Sequence, residues 1–285
     1  MSDPVTSATG QSPSLQAAGN IPPILLVGCG RMGSAMLSGW RERGLAPSYA
    51  VDPAPAAASF AGPDMTVVAS LAEVPDSFAP SAVVVAVKPQ NAADTLPAYA
   101  RYAGHAVFLS IMAGRTIGGI QSLVGGNAAI VRAMPNTPAA VRQGVTVACA
   151  TSAVSDPQRA LCDRLLQAIG VVAWADDEAL LDPVTAVSGS GPAYVFLLAE
   201  LMEQAAIAQG IPADLARLLA RQTVSGSGAL LAANPEDAAE LRKAVTSPGG
   251  TTAAALQVLM DPAAWPAAMQ AAIEAATMRS RELAG

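Results

Sequence analysis

The glycine-rich segment at residues 28–33 is the part of the chain best suited to hold a charged ligand. It follows the apolar run Ile24–Val27 and precedes a predicted helix over residues 31–43. This context and the G-x-G-x-x-G spacing predict a dinucleotide site, with the pyrophosphate on the helix N-terminus. The alternative is a glycine-rich connection without a function. The residues of the motif are Gly28, Cys29, Gly30, Arg31, Met32 and Gly33.

Asp52 is an acidic residue at the end of the second predicted strand, about 20 residues after the glycines. An acid at this point hydrogen-bonds the ribose 2′-hydroxyl of NAD and repels the 2′-phosphate of NADP. Asp52-Pro53 is also a common way to open a turn. The sequence leaves both interpretations open.

Three predicted strands end in segments that mix small residues, prolines and polar side chains. Lys88-Pro89 follows the valine-rich run at 82–87, while Ser-Ile-Met-Ala-Gly (110–114) and Met-Pro-Asn-Thr-Pro (134–138) follow the next two strands. Ligands of doubly wound sheets bind beyond the carboxyl ends of the strands. We therefore expect these segments to form a wall against a nicotinamide ring, although turn chemistry alone also explains their composition.

Two segments in the second half combine glycines with hydroxyl side chains just before a predicted helix. They are Ser-Gly-Ser-Gly-Pro at 188–192 and Ser-Pro-Gly-Gly-Thr-Thr at 247–252. Backbone N–H groups at such a helix start, together with the helix dipole, suit a small carboxylate. The alternative is an ordinary helix start after a glycine-rich turn.

The elements that must position these residues differ between the two halves of the chain. Up to about Asp177, strand-length apolar runs alternate with helical stretches, which predicts a parallel sheet with crossover helices. Beyond it only helical spacing remains, and the helices are apolar on more than one face. We predict a flexible segment at 1–21, an α/β Rossmann dinucleotide-binding domain at 22–177, and an all-α dimerisation and substrate domain at 178–285.

Composition and charge argue against several other classes of protein. The net charge of -6 and the pI of ≈ 4.8 disfavour nucleic-acid binding, which needs a basic surface. The mean hydropathy is +0.39, but apolar runs such as 82–87 have strand length, whereas a membrane span needs ~18 residues. We therefore expect no membrane segment and attribute the apolar surplus to buried strands and a dimer interface.

The histidine and cysteine contents predict neither a metal site nor an exported protein. The chain has 1 histidine and 3 cysteines, without metal-ligand spacing. No basic residue precedes Arg31, so a secretory signal is not predicted. The cysteines are typical of reduced core residues, and we expect a cytoplasmic protein.

Five segments resemble, in order and approximate spacing, those of the pyrroline-5-carboxylate reductase family. The resemblance covers about residues 24–283, and its two segments in the helical domain are the specific ones. The segments are Gly-Cys-Gly-Arg-Met-Gly from Gly28, Ala-Val-Lys-Pro from Ala86, Met-Pro-Asn-Thr-Pro from Met134, Ser-Gly-Ser-Gly-Pro-Ala-Tyr from Ser188 and Ser-Pro-Gly-Gly-Thr-Thr from Ser247.

The resemblance implies reduction of 1-pyrroline-5-carboxylate to L-proline, the last step of proline synthesis, by a homodimer or a higher oligomer built from dimers. It implies NADP(H) or NAD(H) as the cofactor. The expected cofactor-binding residues are Gly28, Gly30, Arg31, Met32, Gly33, Asp52, Ala86, Val87, Lys88, Pro89, Asn136 and Thr137. The expected substrate-binding residues are Ser247, Gly249, Gly250, Thr251 and Thr252, with Thr252 as the catalytic residue.

One departure from the family pattern concerns the choice of cofactor. Many members carry a polar or basic segment after the second strand, which suits a 2′-phosphate, whereas this chain has Val-Asp-Pro-Ala-Pro at 51–55. Asp52 favours NAD, while the family habit favours NADP. Two rivals remain. One is another imine or hydroxy-acid reductase, although the catalytic lysine that is usual in hydroxy-acid relatives is absent after Pro192. The other is a non-catalytic dinucleotide sensor, which would not need the polar loop at 247–252.

Overall fold

The computed structural model describes residues 21–284, and these residues form two compact units. The helical unit is Ala193–Ala271, and the Rossmann unit contains the other described residues, 21–192 and 272–284. The predicted flexible segment at 1–21 lies, except for Ile21, outside the described residues. The predicted domain boundary at residue 178 stays a prediction, because the chain enters the helical unit at Ala193 and leaves it at Ala271.

The Rossmann unit is built on one sheet of eight strands in the order β3-β2-β1-β4-β5-β6-β7-β8. Leu26 of β1, for example, pairs with Ala50 of β2 on one side and with Val84 of β4 on the other. The strands are β1 (Ile24–Val27), β2 (Ser48–Val51), β3 (Met65–Val68), β4 (Ala82–Val85), β5 (Val107–Ser110), β6 (Ile130–Met134), β7 (Gly144–Ala150) and β8 (Gly170–Trp174).

The prediction of an all-parallel sheet was wrong at one pair of strands. β6 and β7 are antiparallel, with Arg132 opposite Cys149, whereas all the other neighbours in the sheet are parallel. The physical reason is the short connection between Met134 and Gly144. A parallel crossover needs about a dozen residues or more, so the chain returns beside β6 in the opposite direction.

The sheet has a hydrophobic core on each face, as predicted for strands buried on both sides. Leu26, Val84 and Leu109 belong to one core, and their neighbours Val83 and Phe108 belong to the other. This alternation follows from the two-residue repeat of a strand, which sends successive side chains to opposite faces. Every residue of β1, β4 and β5 is buried.

The helices were predicted correctly in type, but several crossovers are shorter than expected. Between β2 and β3 the chain forms only the 3₁₀ helix Pro55–Phe60, and between β3 and β4 only Leu71–Glu73. β4 ends at Val85, two residues before the predicted end of the run at 82–87. The helices are α1 (Arg31–Glu42), α2 (Ala92–Thr95), α3 (Ile117–Val124), α4 (Asp156–Gln167), α5 (Leu181–Val184), α6 (Gly191–Ala208), α7 (Ala213–Ala233), α8 (Ala238–Ala244), α9 (Thr251–Leu259) and α10 (Trp265–Ala284).

The described part of the helical unit contains helices and turns without strands, as predicted, but its helices bury little. α6 has no buried residue, and α7 buries only Ala216 and Ala220. One continuous helical stretch, Glu178–Ala208, is long and apolar enough to cross a membrane by length and composition, with 6% of the tested window buried. This stretch is longer than the apolar runs of the sequence because a π-helical turn, Thr185–Gly189, joins α5 to α6. Length and composition alone do not test the expectation of no membrane segment, which stays a prediction.

The last turns of α10 return to the Rossmann unit. Ser280 is buried there, and its hydroxyl donates a hydrogen bond to Asp182 Oδ1 at 2.7 Å. A side chain at Gly114, in the loop after β5, would approach the carbonyl oxygen of Leu283 to 3.2 Å. The Rossmann unit is thus assembled from two separate stretches of the chain.

Candidate functional site

The turn between β1 and α1 is packed so tightly that two of its positions accept only glycine. Gly28 has a φ of 98°, and its N–H donates to Val51 O at 3.0 Å. A Cβ on Gly28 would lie 2.8 Å from Ala86 O, and one on Gly33 would lie 2.3 Å from Gly28 O. The turn is therefore pressed against the end of β4, and the predicted residues Gly28, Gly33 and Ala86 lie together.

The N-terminus of α1 is open, in contrast to the rest of this turn. A Cβ on Gly30 would meet nothing within 4 Å. Gly30 is the N-cap of α1, and no side-chain hydrogen bond caps this helix. Its first turn contains no acidic residue. Exposed Arg31 and half-buried Met32 follow. The free N–H groups and the helix dipole fit an anion such as a pyrophosphate.

Asp52 lies just after β2, and both of its carboxylate oxygens accept backbone hydrogen bonds. Oδ2 accepts from Cys29 N at 2.6 Å, and Oδ1 accepts from Ala54 N at 2.9 Å. The second bond is the turn that the Asp-Pro sequence indicated. The first bond ties Asp52 to the glycine motif. Burial, and to a lesser extent the charge of Asp52, raises the pKa of the Cys29 thiol to about 11.

The segments after β4 and β5 lie against each other, as predicted for neighbouring strand ends. Arg115 Nε donates to Pro89 O at 3.0 Å, and Ile111 N donates to Val85 O at 3.0 Å. Lys88 is exposed at the start of the 3₁₀ turn Pro89–Asn91. Val87 packs against the core of the Rossmann unit.

Asn136 is buried, and its side chain is occupied by bonds within the protein. Its Nδ2 donates to Ser188 O at 3.1 Å, while its Oδ1 accepts from Val145 N at 3.0 Å. The amide therefore joins the loop after β6 to the π-helical turn before α6. Such turns occur often at functional sites. Exposed Thr137 begins the 3₁₀ helix Thr137–Val141 beside it.

Arg142 was missed by the sequence analysis and is placed unusually. Among residues 21–284 it is the one residue other than glycine with a left-handed backbone conformation, at a φ of 61°. Its guanidinium binds Glu42 through Nη2–Oε1 at 2.6 Å and Nε–Oε2 at 3.2 Å. The hydrogen bond and charge of Arg142 lower the pKa of the Glu42 carboxyl. Nothing in the sequence around residue 142 marks this conformation.

A second missed group is the ion pair Arg132–Glu178, which joins three elements of the Rossmann unit. Arg132 Nη1 lies 2.7 Å from Glu178 Oε1, and that oxygen also accepts from Ile117 N at 2.7 Å. The pair therefore fixes β6 and the start of α3 to the turn before α5. The sequence did contain a signal for this ion pair, because an arginine within the apolar run of β6 needs a buried partner.

The predicted substrate loop is a regular turn that opens α9 in the helical unit. Gly250 N donates to Ser247 O at 3.0 Å, and Gly249 between them has a φ of 72°. Pro248 and Gly249 thus occupy the second and third positions of a type II turn. Gly250 is the N-cap, and no side chain caps α9. Its first N–H groups remain available to an anion.

The two threonines that follow this turn differ in exposure. Thr251 is exposed and Thr252 is half-buried in the first turn of α9. Within the described part of the chain, no group of three or more His, Cys, Asp or Glu side chains could hold a metal ion.

Comparisons with known proteins place similarity along nearly the whole chain. Residues 178–283 match the family model described as pyrroline-5-carboxylate reductase dimerisation. Residues 23–114 match the one described as NADP oxidoreductase, coenzyme F420-dependent. Pyrroline-5-carboxylate reductase of Pseudomonas aeruginosa is 39% identical over 92% of this chain and 97% of its own length. That of Haemophilus influenzae is 35% identical over 91% and 97%.

Solved structures agree with these relatives. A pyrroline-5-carboxylate reductase from Coxiella burnetii has a TM-score of 0.85 at 30% identity and covers 92% of this chain and 98% of its own. The pyrroline carboxylate reductase of Plasmodium falciparum, solved with NADP bound, has a TM-score of 0.76 at 27% identity, with coverages of 92% and 100%. The similarity therefore includes both the sheet and the helices.

Proposed function

The chain belongs to the pyrroline-5-carboxylate reductase family, and we propose that it catalyses the reaction for which its relatives are named. The reaction is hydride transfer from NADPH or NADH to the C=N bond of 1-pyrroline-5-carboxylate, giving L-proline as the last step of proline synthesis. The observation that carries this proposal is the 39% identity to a reductase over 92% of the chain, helical unit included. A shared glycine motif alone would indicate only a dinucleotide.

The proposed cofactor site lies along the carboxyl edge of the Rossmann sheet. Gly30 and the open N-terminus of α1 would hold the pyrophosphate, because no protein group satisfies these N–H donors through a side chain. When bound, a reduced nicotinamide supplies a hydride. The full proposed set is Gly28, Gly30, Arg31, Met32, Gly33, Asp52, Ala86, Val87, Lys88, Pro89, Asn136 and Thr137.

Asp52 is proposed to influence which dinucleotide binds better. Its carboxylate is held by Cys29 N and Ala54 N, so it cannot easily turn away. A fixed negative charge accepts a hydrogen bond from a ribose 2′-hydroxyl and repels a 2′-phosphate. Residues 53–61 contain no basic side chain that would offset it. The family pattern that favours NADP is therefore weakened in this chain.

The proposed substrate site is the start of α9, with Ser247, Gly249, Gly250, Thr251 and Thr252. The uncapped N–H groups would bind the substrate carboxylate. In the protonated imine the ring carbon is already electrophilic, so a hydride added there moves the C=N electron pair onto nitrogen. The Thr252 hydroxyl would donate to that nitrogen lone pair. The site then acts by positioning and electrostatics and needs no histidine.

The experiment that tests this function is nicotinamide oxidation by the purified protein with 1-pyrroline-5-carboxylate. NADPH and NADH are compared in parallel, and proline is identified as the product. Rapid oxidation that yields proline supports the proposal. Bound dinucleotide without oxidation in either reaction would contradict it and favour a sensor.

Thr252→Ala tests the proposed catalytic residue. We expect kcat to fall by about 100- to 1000-fold, the range for a lost hydrogen-bond donor at a reacting centre, with the cofactor Kd unchanged. Thr252→Ser keeps the hydroxyl and is the matched control, so its kcat should stay near that of the wild type. Equal activity of Thr252→Ala and Thr252→Ser would remove Thr252 from the mechanism.

Self-association and cellular location complete the proposal. We propose a homodimer, or an oligomer built from dimers, in which a second copy covers the apolar helices of the helical unit. The support is their exposure in one chain together with the match to a dimerisation domain. A cytoplasmic location is proposed because Cys29, Cys149 and Cys162 are all buried as free thiols.

A further inference from the structure

The loop between β6 and β7 is held by the Asn136 side chain at its beginning and by backbone hydrogen bonds near its end. At its beginning, the amide of Asn136 bonds to Ser188 O and Val145 N. At its end, Arg142 N donates to Ala139 O at 3.1 Å, and Gln143 N donates to Pro138 O at 3.1 Å. The loop therefore has little freedom of its own, and its position depends on where these ends are anchored.

Arg142 anchors the second end to α1. Its guanidinium binds the carboxylate of Glu42 in a two-pronged arrangement, and its Nη2 also donates to Ser38 Oγ at 2.9 Å. A weaker contact reaches the carbonyl oxygen of Ala35 at 3.5 Å. Three successive positions on one side of α1 thus bind one side chain. Such a planar, bidentate arrangement fixes direction as well as distance.

The backbone of Arg142 argues against a role in stability alone. A left-handed conformation is unfavourable for arginine, whereas glycine adopts it readily. The ion pair that could compensate is half-exposed, with 28% of the Arg142 and 62% of the Glu42 side chain accessible, and such pairs stabilise little. Unfavourable backbone persists mainly where the surrounding structure serves a function.

We propose that Arg142 is a positioning residue that sets the distance between α1, which receives the pyrophosphate, and the loop at residues 134–141, which receives the nicotinamide. This inference rests on the proposed function. The two segments hold opposite ends of one cofactor, so their separation determines where the reactive carbon of the ring lies. Small misplacements of a reacting group reduce rates strongly while binding changes little.

Arg142→Gly tests the proposal, because glycine keeps the left-handed backbone and removes only the side chain. We expect the Tm to stay within a few degrees of the wild type and the Kd for NADH to stay within about 3-fold. We expect kcat to fall by about 10-fold or more. The fluorescence of bound NADH should shift toward that of free NADH, because the ring is no longer held.

Three further variants make the result specific. Arg142→Asn also tolerates the left-handed backbone and should match Arg142→Gly. Glu42→Gln keeps a hydrogen-bond acceptor and should lower kcat less than Arg142→Gly does. Arg101→Ala removes another exposed ion pair of the same unit, with Asp76 at 2.8 Å, near the amino end of β5, and should leave kcat unchanged.

The outcomes separate this inference from the proposed function. Wild-type kcat and wild-type NADH fluorescence in Arg142→Gly would overturn the positioning role. Loss of the fold in both Arg142→Gly and Arg142→Asn would also overturn it, since the residue would then be structural. If the wild type does not reduce 1-pyrroline-5-carboxylate, the proposed function fails, but the NADH fluorescence of the variants still decides the role of Arg142.

Discussion

The two units of this protein differ in how far their apolar side chains are buried. In the Rossmann unit every residue of β1, β4 and β5 is buried within one chain. In the helical unit α6 buries nothing, and Phe196 and Leu218 are 66% and 60% exposed. Large apolar side chains at that exposure are unfavourable in water. The central strands of the Rossmann unit are therefore buried within one chain, whereas α6 and α7 expose apolar side chains that the proposed dimer would cover.

This difference divides the expected effects of mutation into two classes. Changes in the Rossmann unit should alter dinucleotide binding and leave self-association intact. Changes on the exposed faces of the helical unit should do the reverse. Four experiments test this division, beginning with the one that should have the largest effect.

Phe196→Asp should weaken self-association strongly. A carboxylate placed in an apolar interface costs at least about 3 kcal/mol, which weakens association by about 100-fold. Analytical ultracentrifugation measures the change in mass. Ala98→Asp, at an exposed position of the Rossmann unit, is the control and should keep the wild-type mass. An unchanged mass in Phe196→Asp would show that α6 is not part of the interface.

Gly33→Ala and Gly30→Ala should separate the fold of the glycine turn from its binding. A Cβ on Gly33 would overlap Gly28 O, so we expect a loss of about 1–3 kcal/mol in unfolding free energy as well as weaker binding. Gly30 has free space, so Gly30→Ala should keep its Tm while its NADH Kd rises by about 10-fold. Thermal unfolding and fluorescence titration measure both quantities. Loss of self-association in either variant would break the proposed division.

Asp52→Ser should raise the ratio of kcat/KM for NADPH to that for NADH by about 10-fold. Removing one charge near a phosphate is worth about 1–4 kcal/mol, depending on solvent exposure. The KM for 1-pyrroline-5-carboxylate should stay constant, since the proposed substrate loop belongs to the other unit. Asp94→Ser, an exposed acid in α2, is the control. A constant ratio in Asp52→Ser would leave Asp52 with only its turn role.

The alkylation rate of cysteine thiols also tests the difference in burial between the two units. Burial raises the pKa of Cys29 to about 11 and that of Cys162 to about 12. Only the thiolate reacts, so alkylation of the native protein should be negligible at pH 8 and increase as the pH approaches 11. Leu218→Cys in α7 should label rapidly in dilute protein and slowly in concentrated protein, where a second copy covers it. Intact mass spectrometry follows both reactions.

The sequence predicted the elements better than their connections. Apolar runs identified all eight strands, because burial on both faces leaves little choice of residue. The antiparallel direction of β7 was not predicted, although the short stretch between Met134 and Gly144 excludes a parallel crossover. The continuous helix at Glu178–Ala208 was missed because a π-helical turn, Thr185–Gly189, ends within a Ser-Gly-Ser-Gly sequence that normally indicates a break.

In the candidate site the residue types were predictable and their contacts were not. The positions of Gly28 and Gly33 follow from the motif, since steric contact with Ala86 O and Gly28 O leaves no room for a side chain. The bond of Asp52 to Cys29 N and the anchoring of Arg142 on α1 join residues distant in sequence. Local propensity does not record such contacts, so only the structure could identify them.

The return of α10 to the Rossmann unit has a consequence for the order of synthesis. The loop after β5 acquires its neighbour Leu283 only after the whole helical unit, Ala193–Ala271, has been translated. At about 5–20 residues per second, the ribosome needs roughly 5–18 s to travel from Pro192 to Leu283. During that interval all eight strands have been translated, while the loop at Gly114 still lacks this neighbour. The packing around Gly114 can therefore form only after the last helix of the chain has been synthesised.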